Sequence, residues 1–127
     1  MSAKILLVED NAANRYLATF LLESHGFEVL HAANGREAMA QARLTLPDLI
    51  LMDIHMPEMD GYETARVIRE DSDLAEIPIV AVTSYAQAGD RERALALGFS
   101  GYLEKPICTE TFVSQIQRFL PGRAAVT

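Results

Sequence analysis

Residues 49–53 read Leu-Ile-Leu-Met-Asp, a run of four consecutive apolar residues that ends at a carboxylate. Residues 5–10 (Ile-Leu-Leu-Val-Glu-Asp) and residues 79–83 (Ile-Val-Ala-Val-Thr) repeat that arrangement, with polar side chains directly after the apolar run. Runs that are apolar at consecutive positions are typical of parallel strands that are covered on both faces of a sheet. The three runs therefore predict central strands whose ends present polar groups.

Two weaker runs, Glu28–Ala32 and Gly101–Leu103, complete a set of five predicted strands. The Glu28–Ala32 run is less apolar than the others, which favours a place at the edge of the sheet. Stretches of helical length separate the strands, and this alternation predicts a parallel sheet with crossover helices. Right-handed crossovers then give a three-layer α/β sandwich with five helices, for which we expect the strand order 2-1-3-4-5.

Local signals set the bounds of the predicted helices. Asn34 followed by Glu37 fits a capping box, and Asp60 with Glu63 repeats that arrangement. The second helix ends before Pro47, because proline cannot continue a helix. The other three helices are predicted from similar signals: Asn11–Ser24, roughly Gly89–Leu97, and Thr109 to the residue before Pro121. The first of these is expected to bury one stripe of side chains: Leu17, Phe20 and Leu21.

Length and composition restrict the classes of function. The 127 residues are about one domain's worth, and their formal net charge of −7 disfavours binding to nucleic acid or to an anionic membrane. No apolar run approaches the roughly 20 residues that cross a bilayer. The only cysteine, Cys108, cannot form an internal disulfide, which suits the reducing cytoplasm.

The polar residues that follow the predicted strands are expected to converge, because parallel strands end at the same edge of a sheet. Glu9 and Asp10 follow the first strand, Asp53 the third and Thr83 the fourth, while Lys105 follows the fifth. Three crowded carboxylates repel one another, and a divalent cation relieves that repulsion. Oxygen ligands without His or Cys favour Mg²⁺, with Mn²⁺ or Ca²⁺ as substitutes.

This set of charges suits a site for a phosphoryl group. One divalent cation and the ammonium group of Lys105 together balance the three carboxylates, and both would neutralise phosphoryl oxygens. Thr83 or its neighbour is placed to donate a hydrogen bond to another of those oxygens. Asp53 comes from a central strand, between the acidic pair and the other two groups. It is therefore the predicted nucleophile, and the product would be an aspartyl phosphate.

Four segments of the chain resemble the receiver domains of two-component response regulators. They are Val8-Glu9-Asp10-Asn11, the stretch from Asp53 to Gly61, Val82-Thr83-Ser84, and the stretch from Tyr102 to Pro106. The resemblance covers about residues 3–120, which leaves residues 121–127 as a short C-terminal tail. It implies the flavodoxin-like fold and a magnesium-dependent switch. It further implies that the switch is no conventional enzyme, because it catalyses only its own phosphorylation and dephosphorylation.

The resemblance also implies roles for individual residues. Glu9, Asp10, Asp53 and the main-chain carbonyl of His55 would hold the metal. Thr83 and Lys105 would contact the phosphoryl oxygens. Thr83 and Tyr102 would form the switch, with Tyr102 as its aromatic residue, and the Lys105–Pro106 peptide bond would be cis. The side chains of His55 and Tyr85 would flank the water path to the phosphoryl group.

The partners that the resemblance implies are proteins. A histidine kinase or a phosphotransfer protein would donate the phosphoryl group and meet the first helix, and a downstream protein would bind the face formed by the fourth helix, fifth strand and fifth helix. The pattern resembles most the single-domain regulators of bacterial cell division and polarity. We expect this chain to be a monomer or a weak dimer. Arg91 and Arg93 either mark this output face or are solvated charges.

Three alternatives remain at this point. A receiver module of a hybrid histidine kinase would have the same chemistry and pass its signal on differently. A phosphatase with an aspartyl nucleophile would normally place a second acid two residues later, where this chain has His55. A flavin-binding electron carrier would need a phosphate loop rich in hydroxyl groups and glycine after the first strand, and residues 9–11 (Glu-Asp-Asn) would instead repel phosphate.

Overall fold

The computed structural model describes residues 3–54, 61–83, 89–104 and 109–120. Within these ranges, strands and helices alternate along the chain as the sequence predicts. The strands are β1 (Lys4–Val8), β2 (Glu28–Ala32), β3 (Leu49–Asp53), β4 (Ile79–Thr83) and β5 (Gly101–Glu104). The helices are α1 (Ala12–Ser24), α2 (Gly35–Thr45), α3 (Gly61–Glu70), α4 (Asp90–Ala96) and α5 (Phe112–Phe119).

The five strands form one parallel sheet in the order β2-β1-β3-β4-β5, which confirms the predicted order and the edge position of β2. Because β1 lies between β2 and β3, the chain turns in opposite directions after β1 and after β3. Val8 and Met52 are register partners on these adjacent strands. The residues that follow them therefore lie at the switch point where such sheets bind ligands.

Both faces of the sheet are buried, as the apolar runs predict. Alternate residues of β1 and β3 point to opposite faces: Leu6 and Ile50 belong to one apolar cluster, and Ile5 and Leu51 belong to the other. The first cluster includes residues of α2, α3 and α4, while the second includes residues of α1 and α5. The arrangement is thus a three-layer α/β sandwich.

The buried stripe of α1 differs from the prediction. Ala18 and Leu22 are buried against the sheet, and Phe20 is 56% exposed. Residues two positions apart do not share a helix face, so packing Ala18 and Leu22 inward turns Phe20 outward. Its ring stacks on Tyr16, which is 73% exposed, with ring centroids 6.5 Å apart. An exposed aromatic pair therefore lies on the outer face of α1.

The predicted helix ends are partly confirmed. Asn34 caps α2 by accepting the Glu37 amide at 2.9 Å, and Glu37 in turn accepts the amide of Ala33 at 2.9 Å. The last helix begins at Phe112 and not at Thr109, because the intervening residues are exposed and threonine is a poor helix former, whereas Phe112 is buried. Asp60 and the tail at 121–127 lie outside the described residues.

None of the helices in the described ranges combines the length and apolar character that a bilayer crossing requires.

Arg69 of α3 joins three segments at one end of the sandwich. Its guanidinium group donates two hydrogen bonds to the carbonyl of Gly98, at 3.0 and 2.8 Å. It donates two more to the carbonyls of Ala75 and Ile77, at 3.0 and 2.8 Å. Burial lowers the pKa of this guanidinium group below its ordinary value. Arg69 therefore ties the segments before β4 and β5 to α3.

We expect Arg69→Met to reduce the free energy of unfolding by about 2 kcal/mol, because it leaves several carbonyl groups without their donor. Urea denaturation measures this change. Arg66→Met is the matched control on the same helix, since Arg66 pairs only with the exposed Glu63 and Glu70 among the ion pairs of the described chain. A loss for Arg66→Met as large as that for Arg69→Met would contradict the structural role of Arg69.

Candidate functional site

Three carboxylates meet where β1 and β3 end. Glu9 and Asp10 follow β1 directly, and Asp53 is the last residue of β3. One carboxylate oxygen from each of the three lies within 4.8 Å of the others. Glu9 and Asp53 are buried, with 4% and 8% of their surface exposed, while Asp10 is exposed. The structure thus brings together the three acids that the sequence predicts as one cluster.

Glu9 is held by backbone and side-chain contacts from both sides. Its amide donates to the carbonyl of Ala32, the last residue of β2, at 3.0 Å. Its carboxylate accepts the amide of Asn11 at 3.2 Å, and Asn11 in turn caps α1 by accepting the amide of Asn14 at 3.0 Å. The start of α1 therefore orients the Glu9 carboxylate within the cluster.

Asp53 is fixed by the backbone that surrounds the end of β3. It is the register partner of Val82 on β4, and the amide of Ile54 donates to the Val82 carbonyl at 3.3 Å. The amide of Gly61 donates to the Ile54 carbonyl at 3.1 Å. A Cβ atom on Gly61 would lie 2.5 Å from the Ile54 Cα and 2.9 Å from the Asp53 carbonyl oxygen. Only glycine permits this close approach behind Asp53.

Thr83 and Tyr102 extend the site along β4 and β5. Thr83 is the last residue of β4, fully buried, and one residue beyond the partner of Asp53. Tyr102 pairs with Ala81 across β4 and β5 and is also buried. The guanidinium carbon of Arg91 lies 5.4 Å from the centroid of its ring, within the range of a cation–π contact. Thr83 and Tyr102 therefore occupy the neighbouring strands that the sequence assigned to them.

Other predicted site residues lie outside the described residues. These are His55, Lys105 and Pro106, and with the last two the predicted cis peptide bond. The same holds for three residues near them: Ser84, Tyr85 and Cys108. The roles predicted for His55, Tyr85, Lys105 and Pro106 stay predictions.

Two residues of α1 contact the site although the sequence pattern did not single them out. Arg15 donates from Nη1 to the main-chain carbonyl of Glu9, at 3.1 Å. Asn14 lines a small cavity of about 10 Å³ together with Glu9 and Asp53. The sequence did contain one signal for Arg15. The helix dipole disfavours an arginine in the first turn of a helix, so an arginine there indicates a compensating contact. Its bond to the Glu9 carbonyl accounts for this placement.

The donor set fits a hard divalent cation. All three groups are carboxylates, which are the ligands that Mg²⁺, Mn²⁺ and Ca²⁺ prefer. Two of the three are buried, and buried like charges at this distance repel one another unless a positive charge compensates them. Asp10, the exposed member, leaves the cluster open to solvent on one side. The cluster can therefore admit a hydrated cation.

The fold and this acidic site together define a class of protein. The sequence profile of the response regulator receiver domain matches residues 5–117. The chain belongs to that family, the receiver domains of two-component signalling, as the sequence motifs predicted.

Three individual proteins are similar to the chain over most of its length. It is 41% identical over 120 residues to the polar-differentiation response regulator DivK of Brucella anthropi, an alignment that covers 94% of this chain and 98% of that protein. It also resembles the chemotaxis protein CheY4 of Vibrio cholerae, with a TM-score of 0.89 and 35% identity over 94% of this chain and all of that one. The receiver domain of the sensor histidine kinase PA1611 of Pseudomonas aeruginosa, solved with a coordinated magnesium ion in its active-site cleft, has a TM-score of 0.85 and 38% identity, covering 94% of this chain and 98% of that one.

Proposed function

We propose that this protein is a cytoplasmic signalling switch that accepts a phosphoryl group on Asp53 in the presence of Mg²⁺, with Mn²⁺ or Ca²⁺ as substitutes. The observation that carries the proposal is the convergence of three carboxylate oxygens within 4.8 Å at the switch point of the sheet. The magnesium ion in the active-site cleft of the PA1611 receiver domain supports the choice of metal. Membership of the receiver family supports the reaction.

In the proposed reaction, a carboxylate oxygen of Asp53 attacks the phosphorus atom of the donor. An O–P bond forms, the P–N bond to a donor histidine breaks, and the imidazole keeps the electron pair. Glu9, Asp10 and the His55 carbonyl would join Asp53 in holding the metal, which neutralises the charge on the phosphoryl oxygens. The Thr83 hydroxyl and the Lys105 ammonium group would bind the remaining oxygens. The buried backbone behind Asp53 would keep its carboxylate in position.

The donor is proposed to be a histidine kinase or a phosphotransfer protein that docks on α1. This helix begins immediately beyond the acidic cluster and presents Tyr16 and Phe20 to solvent. Their stacked rings offer an apolar contact that the protein's own core does not use. Large exposed aromatic groups are typical anchors of protein interfaces. A donor that binds there would bring its phosphoryl group close to Asp53.

The signal is proposed to leave through the face formed by α4, β5 and α5, towards a downstream protein. Tyr102 lies on β5 and Arg91 on α4, and their cation–π contact joins these two elements. Arg93 of α4 lies 4.0 Å from the centroid of the Tyr62 ring on α3, and both arginines are exposed to solvent as well. A phosphoryl group that draws Thr83 towards itself would change the space around Tyr102, and with it this face.

The proposal is tested by mixing the protein with acetyl phosphate and measuring the intact mass. In the presence of Mg²⁺ we expect one added phosphoryl group that is stable in acid and lost in base, as an acyl phosphate is. Chelation of the metal should prevent the addition. An unchanged mass at saturating Mg²⁺, or an addition that survives base, would contradict the proposed function.

We expect Asp10→Asn to weaken Mg²⁺ binding about tenfold and to slow labelling by acetyl phosphate, because it removes one of three anionic ligands. Calorimetric titration with MgCl₂ measures the affinity. Asp10 is exposed, so the variant is expected to fold like the wild type. Asp73→Asn, which changes an exposed acid outside the cluster, serves as the control. Equal Mg²⁺ affinity for Asp10→Asn and the wild type would exclude Asp10 as a ligand.

The likeness to the PA1611 receiver domain favours a second candidate, a receiver module within a hybrid histidine kinase. The chemistry at Asp53 would be the same, and the signal would pass within one polypeptide. The mass of the native protein, detected with an antibody in cells of the source organism, distinguishes the two candidates. A band at the size of this chain supports the separate switch, and a much larger band supports the kinase module.

A further inference from the structure

Leu46 adopts an unfavourable backbone conformation directly after α2. Its φ of 48° and ψ of 66° are left-handed, and it is the only non-glycine residue with positive φ in the described part of the chain. At the ends of α1 and α4, the left-handed residues are Gly26 and Gly98, each one residue beyond the C-cap. Glycine is the usual residue at such helix ends, because a Cβ atom disfavours the left-handed region. Leucine at this position therefore requires another explanation.

The Leu46 side chain does not gain stability by burial. It is 58% exposed, and Leu44 on the last turn of α2 is 79% exposed. Leu46 and the buried Leu74 line a cavity of about 360 Å³ between the ends of α2 and α3. The other residues that line it are charged: Arg43, Asp71 and Asp73. Leu46 is therefore an exposed apolar contact at the edge of an open hollow with charged walls.

The rim of this cavity is acidic. Asp71 and Asp73 line it together with Arg43, whose Nε lies 3.1 Å from the Asp71 carboxylate. The amide of Asp73 and the guanidinium group of Arg43 hold the pKa of Asp71 below its ordinary value, so the carboxylate stays charged. Asp73 also lines a neighbouring hollow of about 230 Å³, to which Asp48 and Glu76 contribute. We call this surface the acidic groove. Its four acids are Asp48, Asp71, Asp73 and Glu76, and its one base is Arg43.

We propose that the acidic groove binds a cationic amphipathic segment of another protein. An aliphatic side chain of that segment would lie against the exposed Leu46, and its Lys or Arg side chains would face Asp73, Asp48 and Glu76. Charge complementarity identifies this occupant. A second copy of this chain would present the same acids in a symmetric contact, and the formal net charge of −7 opposes such pairing. An anionic membrane is excluded for the same reason.

The acidic groove lies at the opposite edge of the sheet from the carboxylate cluster. Asp48 directly precedes β3, whereas Asp53 ends it, and the amide of Asp48 donates to the carbonyl of Lys4 at the start of β1. A partner bound in the acidic groove therefore leaves the site around Asp53 open. The inference extends beyond the proposed function and stands without it, because none of the groove residues takes part in phosphoryl transfer.

The test uses an acetylated amphipathic peptide of Leu and Lys, titrated into the ¹⁵N-labelled full chain in buffer with Mg²⁺. We expect amide shifts at residues 43–46 and 71–74. Leu46→Gly should weaken binding about tenfold, since it removes a leucine side chain from the contact. The same variant should unfold at an equal or higher temperature, because glycine suits the positive φ. Asp73→Asn should weaken binding and lessen its dependence on salt.

Two controls separate the acidic groove from other surfaces. Leu95→Ala removes a leucine on α4 that is 52% exposed and should bind the peptide like the wild type. A peptide with Glu in place of Lys should not bind. Shifts confined to the carboxylate cluster, or equal affinity of Leu46→Gly and the wild type, would overturn the proposal. Asp53→Asn should bind the peptide normally, and Leu46→Gly should accept a phosphoryl group normally. A failure of peptide binding can therefore be distinguished from a failure of phosphoryl transfer to Asp53.

Discussion

Asp53→Asn is expected to abolish phosphoryl labelling by acetyl phosphate. The amide has no anionic oxygen to attack phosphorus, and it also removes one negative charge from the carboxylate cluster. Asparagine has almost the same shape, so the buried position at the end of β3 remains filled. We therefore expect a folded protein that gains no phosphoryl group at any concentration of Mg²⁺. Intact-mass measurement over time, with the wild type alongside, determines the loss.

Asp48→Asn is the matched control for this variant. Asp48 precedes β3 and Asp53 ends it, so the two substitutions make the same chemical change at opposite edges of one strand. Asp48→Asn should be labelled at the wild-type rate. Labelling of Asp53→Asn to the wild-type extent would show that another residue accepts the phosphoryl group. In that case digestion and peptide mapping of the labelled variant would identify it.

The fold was predictable because the sequence contains two simple physical signals. Runs such as Leu49–Met52 are apolar at every position, which is stable only in a strand covered on both faces. Glycine and asparagine mark several helix ends, as Asn34 does for α2. The convergence of Glu9, Asp10 and Asp53 then follows, since each comes at the end of a parallel strand in a known order. No distance had to be known in advance.

Other features depend on contacts that a single sequence does not reveal. The exposure of Phe20 follows from the rotation of α1 about its axis, which the close packing of Ala18 on the sheet decides. The contact of Arg15 with the Glu9 carbonyl depends on the same rotation. The left-handed conformation of Leu46 gives no signal in the sequence, because leucine is common inside helices. Tertiary packing determined these features.

Gly61 connects the stability of the fold to the geometry of the site. It begins α3, where alanine would be the better helix former, yet any Cβ atom there would meet the backbone of Ile54 and Asp53. Backbone atoms cannot move aside as the end of a flexible side chain can. The contact must therefore be relieved by shifting either α3 or the end of β3, and the second shift would displace Asp53.

We expect Gly61→Ala to lower the free energy of unfolding by about 3 kcal/mol, because it overpacks a rigid contact. We also expect the folded fraction to accept a phosphoryl group more slowly than the wild type. Urea denaturation measures the first effect, and the initial rate of labelling by acetyl phosphate, corrected for the folded fraction, measures the second. If helix propensity alone mattered, the substitution would stabilise the protein.

Gly26→Ala separates the loss of stability from the distortion of the site. Gly26 has a φ of 88°, so alanine is strained there, but a Cβ atom would meet nothing within 4 Å. Gly26 follows α1 at the opposite edge of the sheet from the carboxylate cluster. This variant should be less stable than the wild type and should still be labelled at the wild-type rate. If Gly61→Ala were labelled equally fast, or were as stable as the wild type, the close approach at Gly61 would not determine where Asp53 lies.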